Sequence, residues 1–352
     1  MVVAGYRRPE WASESAPAIA RTGSVGWRPM RAARCHEYGP PSVLVTEEVE
    51  EPSAGPGQVV VAVAAAAVNF PDVLLVADRY QLHVPVPFTP GSELAGTVVA
   101  VGPGVTDLVE GDRVMGATLI GGFAERVAVP VAGLEKVPAG VDLGAAAAFG
   151  VAHQTAYHAL RTVAQVEPGD WVVVLGAAGG VGLATVELAT VLGAQVLAAA
   201  SSGAKLDACR EKGAVATVDY GQEDLKERVK EITGGGAAVV VDPVGGSLAE
   251  AALRATRWGG RFVSVGFASG EIPRIPLNLV LLKGVVVTGF TMEGLATNQP
   301  DDVERDRVEL RQLLEAGRVV PHVSARFPLA DAGGALAEVA ERRAVGKVLV
   351  EP

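Results

Sequence analysis

The residues best suited to chemistry lie in one run of small side chains. Val172-Val173-Val174-Leu175 leads into Gly176-Ala177-Ala178-Gly179-Gly180-Val181-Gly182, and an apolar helical pattern follows at once. Glycines there let the backbone turn tightly and approach a pyrophosphate, while the free N–H groups that open the helix point at it. A glycine motif alone is weak evidence. Set between an apolar strand and a helix, it reads as the phosphate-binding turn of a dinucleotide fold. Ala177 takes the first glycine position, giving A-x-G-x-x-G, and alanine is the smallest substitute available.

The end of the next strand discriminates between cofactors. An NAD site places a carboxylate there for the adenosine ribose diol. This chain instead runs Ala198-Ala199-Ala200-Ser201-Ser202-Gly203-Ala204-Lys205, with no acid. Two hydroxyls and an ammonium suit a 2′-phosphate that a carboxylate would repel. The segment favours NADPH over NADH, although Lys205 can also be read as a solvated lysine at a helix start.

The elements around this loop follow two rhythms. From Met30 to Phe149, short β-rich runs such as Val59 to Val68 and Ala95 to Val101 alternate with turns at Gly55-Pro56-Gly57, Pro90-Gly91, Gly102-Pro103-Gly104 and Gly111-Asp112. That spacing predicts a compact, barrel-like antiparallel domain. Beyond Phe149 the pattern becomes strand, loop, helix, repeated. Strands are expected at Trp171 to Leu175, Gln195 to Ala200, Ala216 to Val218, Ala238 to Val241, Phe262 to Val265 and Val285 to Thr288. Helices are expected at Leu183 to Leu192, Lys205 to Lys212 and Glu223 to Thr233. Such alternation predicts an α/β unit with a doubly wound parallel sheet. The tail carries helices at Val303 to Ala316 and near Ala332 to Arg342, then a strand at Lys347 to Val350 that returns to the first domain. Residues 1–29 lack periodicity and read as a disordered extension, with Met30 opening the folded unit.

Composition narrows the function classes. Of 352 residues, 49% are hydrophobic and 20% charged, a globular profile. A net charge of −10 argues against a nucleic-acid partner, which needs clustered positive charge. No apolar run reaches the ~20 residues that cross a bilayer, and there is no signal-peptide core, so a cytoplasmic protein without membrane contact is expected. Cys35 and Cys209 make neither a disulfide framework nor a metal cluster.

Together with the glycine loop, Asn69-Phe70-Pro71-Asp72, Gly91-Ser92-Glu93-Leu94-Ala95-Gly96, Gly111-Asp112-Arg113-Val114, Thr155-Ala156-Tyr157 and Gly346-Lys347 carry a family resemblance. From Met30 to Pro352 the chain resembles the medium-chain dehydrogenase/reductase superfamily, and within it the zinc-free quinone oxidoreductase (zeta-crystallin-like) branch. The resemblance implies a GroES-like catalytic domain from residues 30–150 and 291–352, with a Rossmann NADPH-binding domain at 151–290. It also bears on metal. Zinc alcohol dehydrogenases of this superfamily carry cysteine then histidine where this chain has Asn69 and Phe70, and Gly-His-Glu where it has Gly91-Ser92-Glu93. Zinc needs three protein ligands and an open position, so Glu93 alone does not suffice and no metal is expected.

By the same resemblance, Ser202, Lys205 and Tyr220, joined by Arg343, are expected at the adenosine phosphate. Thr155, Asn69 and the backbone of Gly266-Phe267 are expected near the nicotinamide. Tyr220 can alternatively fill core at a strand end. Without a Lewis acid, the remaining chemistry is hydride delivery from NADPH to an acceptor already electrophilic, a quinone or an α,β-unsaturated carbonyl compound. Tyr80 is the candidate proton donor or substrate contact, or else a packed loop aromatic, and Asp72 the residue that orients its neighbours. His153 and His158 read as structural. An enoyl-thioester reductase is the alternative, with Arg7/Arg8 and Arg342/Arg343 as the basic pairs for a carrier or coenzyme A. A non-catalytic, crystallin-like NADPH-binding protein is the alternative of another class. The resemblance favours a homodimer, formed by edge pairing of the strand near Val285 to Thr288.

Overall fold

The structure is a computed structural model that describes residues 28–352, so the expectation of a disordered extension, like the Arg7/Arg8 pair, lies outside the described residues. A hairpin of β1 (Pro29–Cys35) and β2 (Leu44–Glu50) opens it. There follow β3 (Gln58–Ala67), β4 (Glu93–Val101), β5 (Arg113–Ala117), β6 (Arg126–Pro130) and β7 (Leu134–Lys136). Next come β8 (Trp171–Leu175), β9 (Gln195–Ala200), β10 (Ala216–Asp219), β11 (Ala237–Asp242), β12 (Thr256–Ser264) and β13 (Val286–Gly289). The last strands are β14 (Val323–Pro328) and β15 (Lys347–Glu351).

Two sheets result. One has six strands in the order β10-β9-β8-β11-β12-β13, all parallel. That is the doubly wound Rossmann order, whose direction reverses between β8 and β11. Val172, Val173, Val174 and Leu175 of β8 are wholly buried, as a strand covered by helices on both faces must be. The other sheet has seven strands, β14-β15-β3-β4-β5-β7 with β6 also on β3, and is the GroES-like unit. Its pairings are antiparallel, as expected for Met30 to Phe149, except that of β14 with β15 in the C-terminal tail, which is parallel. β14 is one of the strands the sequence pattern misses. Its residues alternate half-buried and exposed, and no continuous apolar run marks it.

β8 enters the helix Gly180–Val191 through Gly176, held at φ +54°, a left-handed backbone that favours glycine. Gly182 is a position of close approach: a Cβ there would strike the Gly176 carbonyl oxygen and lie 2.8 Å from Ala177 Cα. The loop is therefore closed by backbone-on-backbone packing, whereas Gly203 at the next helix start faces open space. Gly182→Ala is expected to lower unfolding stability by about 1–3 kcal/mol, and Gly203→Ala to stay within about 0.5 kcal/mol of the parent. Urea unfolding of both variants checks the contrast.

Candidate active site

Strand register builds the centre of the site. Leu349 of β15 pairs with Ala67 of β3, and Ala67 pairs in turn with Glu93 of β4. Moving two residues past each partner of the antiparallel β15–β3 pair keeps the side chains on one face, and brings Lys347 opposite Asn69. The Lys347 ammonium donates to Asn69 Oδ1 (2.6 Å), Glu93 Oε2 (3.0 Å) and the Val68 carbonyl (3.2 Å). Asn69 Nδ2 donates to the same Glu93 oxygen (3.1 Å) and to the Ala67 carbonyl (3.4 Å). Glu93 Oε1 accepts from the Val151 N–H (2.8 Å) in the first turn of the helix Gly150–His158. All three side chains are buried, Lys347 at 4% exposure and Glu93 at 1%.

The site also reaches the glycine loop. Gly346 N donates to the Ala178 carbonyl (2.8 Å), and a Cβ on Gly180 would lie 3.3 Å from Lys347 Cδ. The C-terminal strand thus abuts the start of the dinucleotide helix. At that start, Ala177 and Ala178 are buried, and Gly179, Gly180 and Val181 half-buried. Across the switch point, buried Asp242 at the end of β11 accepts from Val244 N and Gly245 N (2.8 Å each), shaping the facing loop. Burial pushes its carboxyl up against those two N–H groups. Gly266 and exposed Phe267 follow β12, and Thr155 is half-buried on the helix Gly150–His158.

Asn69 caps the helix Phe70–Val76, and its own N–H donates to Asp72 Oδ2 (2.7 Å). Asp72 is fully buried and its Oδ1 makes no well-formed hydrogen bond. Burial pushes its carboxyl up to about 6, against the opposing pull of the Asn69 N–H, the Ser92 hydroxyl and the Lys347 ammonium. Tyr80 is half-buried, and burial, then the Asp72 charge, pushes its phenol up.

Past the end of β9, Lys205 Nζ donates to the Arg342 carbonyl (2.7 Å) and reaches Ser201 Oγ (3.5 Å). Ser202 opens the helix Gly203–Glu211 without capping it, so its hydroxyl is not spent there. Burial pushes the Tyr220 phenol up, opposed by the Ser201 hydroxyl and the Arg342 charge. Arg343 faces elsewhere. Its guanidinium binds Glu338 (3.0 Å) and Glu341, so Arg342, which also donates to the Ser269 carbonyl (3.0 Å), is the arginine beside Lys205 and Tyr220. In the sequence, Lys347 is marked only by the dipeptide Gly346-Lys347, with no sign of its side chain's role. His158 is locked to buried Asp306 (2.8 Å), and His153 stacks on Phe149 at 4.9 Å. Among the described residues, no group of three or more His, Cys, Asp or Glu side chains could hold a metal ion.

Because its folded carboxyl titrates near 6 and an ordinary one near 3.8, Asp72 favours folding only while protonated. Its contribution is complete below the ordinary value and lost as pH rises through the folded one. Asp72→Asn should therefore stabilise the protein at pH 8 by up to about 3 kcal/mol, and most of the gain should be gone at pH 4. Urea unfolding at the two pH values checks the sign.

Comparison with known proteins fits this geometry. Residues 55–139 match the family described as "Alcohol dehydrogenase GroES-like domain", and residues 180–307 the family described as "Zinc-binding dehydrogenase". A quinone oxidoreductase-like protein 2 homolog of Nematostella vectensis is 38% identical over 330 residues, covering 93% of this chain and 90% of that one. The quinone oxidoreductase of Escherichia coli, solved complexed with NADPH, superposes with a TM-score of 0.85 at 29% identity, over 92% of this chain and 100% of that one. A mycobacterial protein, also solved complexed with NADPH, gives a TM-score of 0.85 at 32% identity, over 92% of this chain and 100% of that one. The chain belongs to the medium-chain dehydrogenase/reductase superfamily, in its quinone oxidoreductase branch.

Proposed function

We propose that the chain is an NADPH-dependent, zinc-independent reductase of quinones or related α,β-unsaturated carbonyl compounds, acting as a homodimer. The observation that carries the reading is the state of Glu93: both oxygens are bonded, one of them to an ammonium at 3.0 Å. A divalent ion there would have to displace a buried cation and a backbone N–H. The chain's own donors suit a dinucleotide instead. The tight Gly182 packing leaves no side chain over the loop, and the N-terminus of the helix Gly180–Val191 supplies N–H groups for a pyrophosphate. Ser201, Ser202, Lys205, Tyr220 and Arg342 line the phosphate end, with Lys205 and Arg342 supplying positive charge against a 2′-phosphate.

NADPH, when bound, supplies a hydride to an acceptor that conjugation has already made electrophilic. The protein orients and excludes water around that event. Asn69, Thr155, Gly266 and Phe267 form the nicotinamide end. Tyr80 keeps its phenolic proton at neutral pH, because burial and the neighbouring Asp72 charge both oppose its loss. Its Oη can therefore donate a hydrogen bond to a substrate oxygen, while Asp72 caps the neighbouring helix through the Asn69 N–H.

The dimer reading rests on the free edge of the six-stranded sheet. β13 ends it, with Val286 53% and Val287 42% exposed. Trp258, Leu277, Leu281 and Leu282 stand exposed nearby in sequence or packing, and an unprotected apolar edge invites a second copy to continue the sheet.

With purified protein and a simple quinone, NADPH should be consumed at least ~10-fold faster than NADH, the value of one charged hydrogen bond to the phosphate. A chelator should leave the rate unchanged. Lys205→Ala should raise the KM for NADPH and leave that for NADH alone. Preference for NADH, or alcohol oxidation abolished by the chelator, would overturn the reading. Light scattering should give twice the chain mass for the parent and a single chain mass for Val287→Asp; a monomeric parent rejects the dimer.

A further inference from the structure

The Lys347 cluster admits one arrangement of hydrogens. An ammonium donates and never accepts, so the atom of Asn69 that meets it at 2.6 Å must be the amide oxygen. The amide nitrogen then faces Glu93 Oε2 and the Ala67 carbonyl, which uses both of its hydrogens. All three Lys347 hydrogens are likewise spent, on Asn69, Glu93 and Val68. Among the three side chains, one polar valence is left over beyond the carboxylate: the second lone pair of Asn69 Oδ1. Asn69 is also the most exposed of these side chains, at 7%.

We infer that Lys347 is a positioning residue that holds Asn69 as an obligate hydrogen-bond acceptor at the nicotinamide end of the cleft. A ligand group that meets Asn69 must be a donor, such as the carboxamide N–H or a ribose hydroxyl of the nicotinamide half; a carbonyl oxygen finds nothing to bind. The inference rests on the NADPH reading given above. Its geometric basis is that one residue, Lys347, both fixes Asn69 and packs on Gly180 at the start of the dinucleotide helix. The Glu93 carboxylate holds the amide nitrogen on its own side; with both the ammonium and that carboxylate removed, the amide can turn over and present NH2 to the same ligand donor, which repels it.

Lys347→Met alone leaves Glu93 as an uncompensated buried charge and can fail to fold for that reason. The double variant Lys347→Met/Glu93→Gln removes both charges while releasing the amide. Calorimetric titration of parent and double variant with NADPH and with 2′,5′-ADP, which lacks the nicotinamide half, separates the two ends of the site. The expected result is unchanged affinity for 2′,5′-ADP and a fall of roughly 10-fold for NADPH, the worth of one hydrogen bond exchanged for a repulsive contact. A parallel fall for both ligands would mean a structural role only, and no fall for either would mean that Asn69 does not depend on Lys347; each overturns the inference. A parent that binds NADPH but reduces no acceptor defeats the reductase reading while leaving the affinity ratio to judge Lys347.

Discussion

Lys347 and Glu93 bring opposite charges together where water cannot reach either. Taking each ion out of water costs several kcal/mol, and the pair recovers that only if every remaining valence finds a partner. Here they do. Asn69, the Val68 and Ala67 carbonyls and the Val151 N–H complete the set. The consequence is geometric: strands β3, β4 and β15, the helix Gly150–His158 and the glycine loop meet at one point. β4 and β15 cannot part there without leaving a charge unpaired, which typically costs about 3–5 kcal/mol.

The two sheets divide the work by their polarity. Inside the parallel sheet, β8, β9 and β11 are apolar along almost their whole length and have no place for a functional side chain. Polar groups gather where those strands stop: the glycine loop after β8, Ser201 after β9, and Asp242 closing β11. The mainly antiparallel sheet can carry polar side chains within its strands, because each face alternates. Glu93 and Lys347 are strand residues for that reason.

How much of this the sequence disclosed follows from the same division. β8 and β9 were legible to the residue, since a buried parallel strand is an apolar run bounded by turns. β12 extends well before Phe262, because its first half, Thr256-Arg257-Trp258-Gly259-Gly260, is largely exposed and carries no such signal. The five-residue helix Leu143–Ala147 and the helix Gly150–His158 are rich in small residues, and their periodicity is too faint to read. Beside Lys205, the helix stops at Ala340 and Arg342 adopts φ +59°, so helical spacing could not say which of two adjacent arginines turns toward Tyr220. The Lys347 cluster was the least legible. Asn69 and Lys347 stand 278 positions apart, and only sheet register brings them together.

That separation bears on assembly. The strands of the parallel sheet come from one continuous stretch, 171–289, whose contacts close over short loops. The other sheet takes β3 to β7 from one part of the chain and β14 and β15 from another, with the whole parallel unit between them. Closing so long a loop carries an entropic cost that local pairings never meet, and contacts of this span slow folding. A folded parallel unit shortens the free chain between the two parts, so early order in one half speeds the meeting of Lys347 with Glu93 in the other.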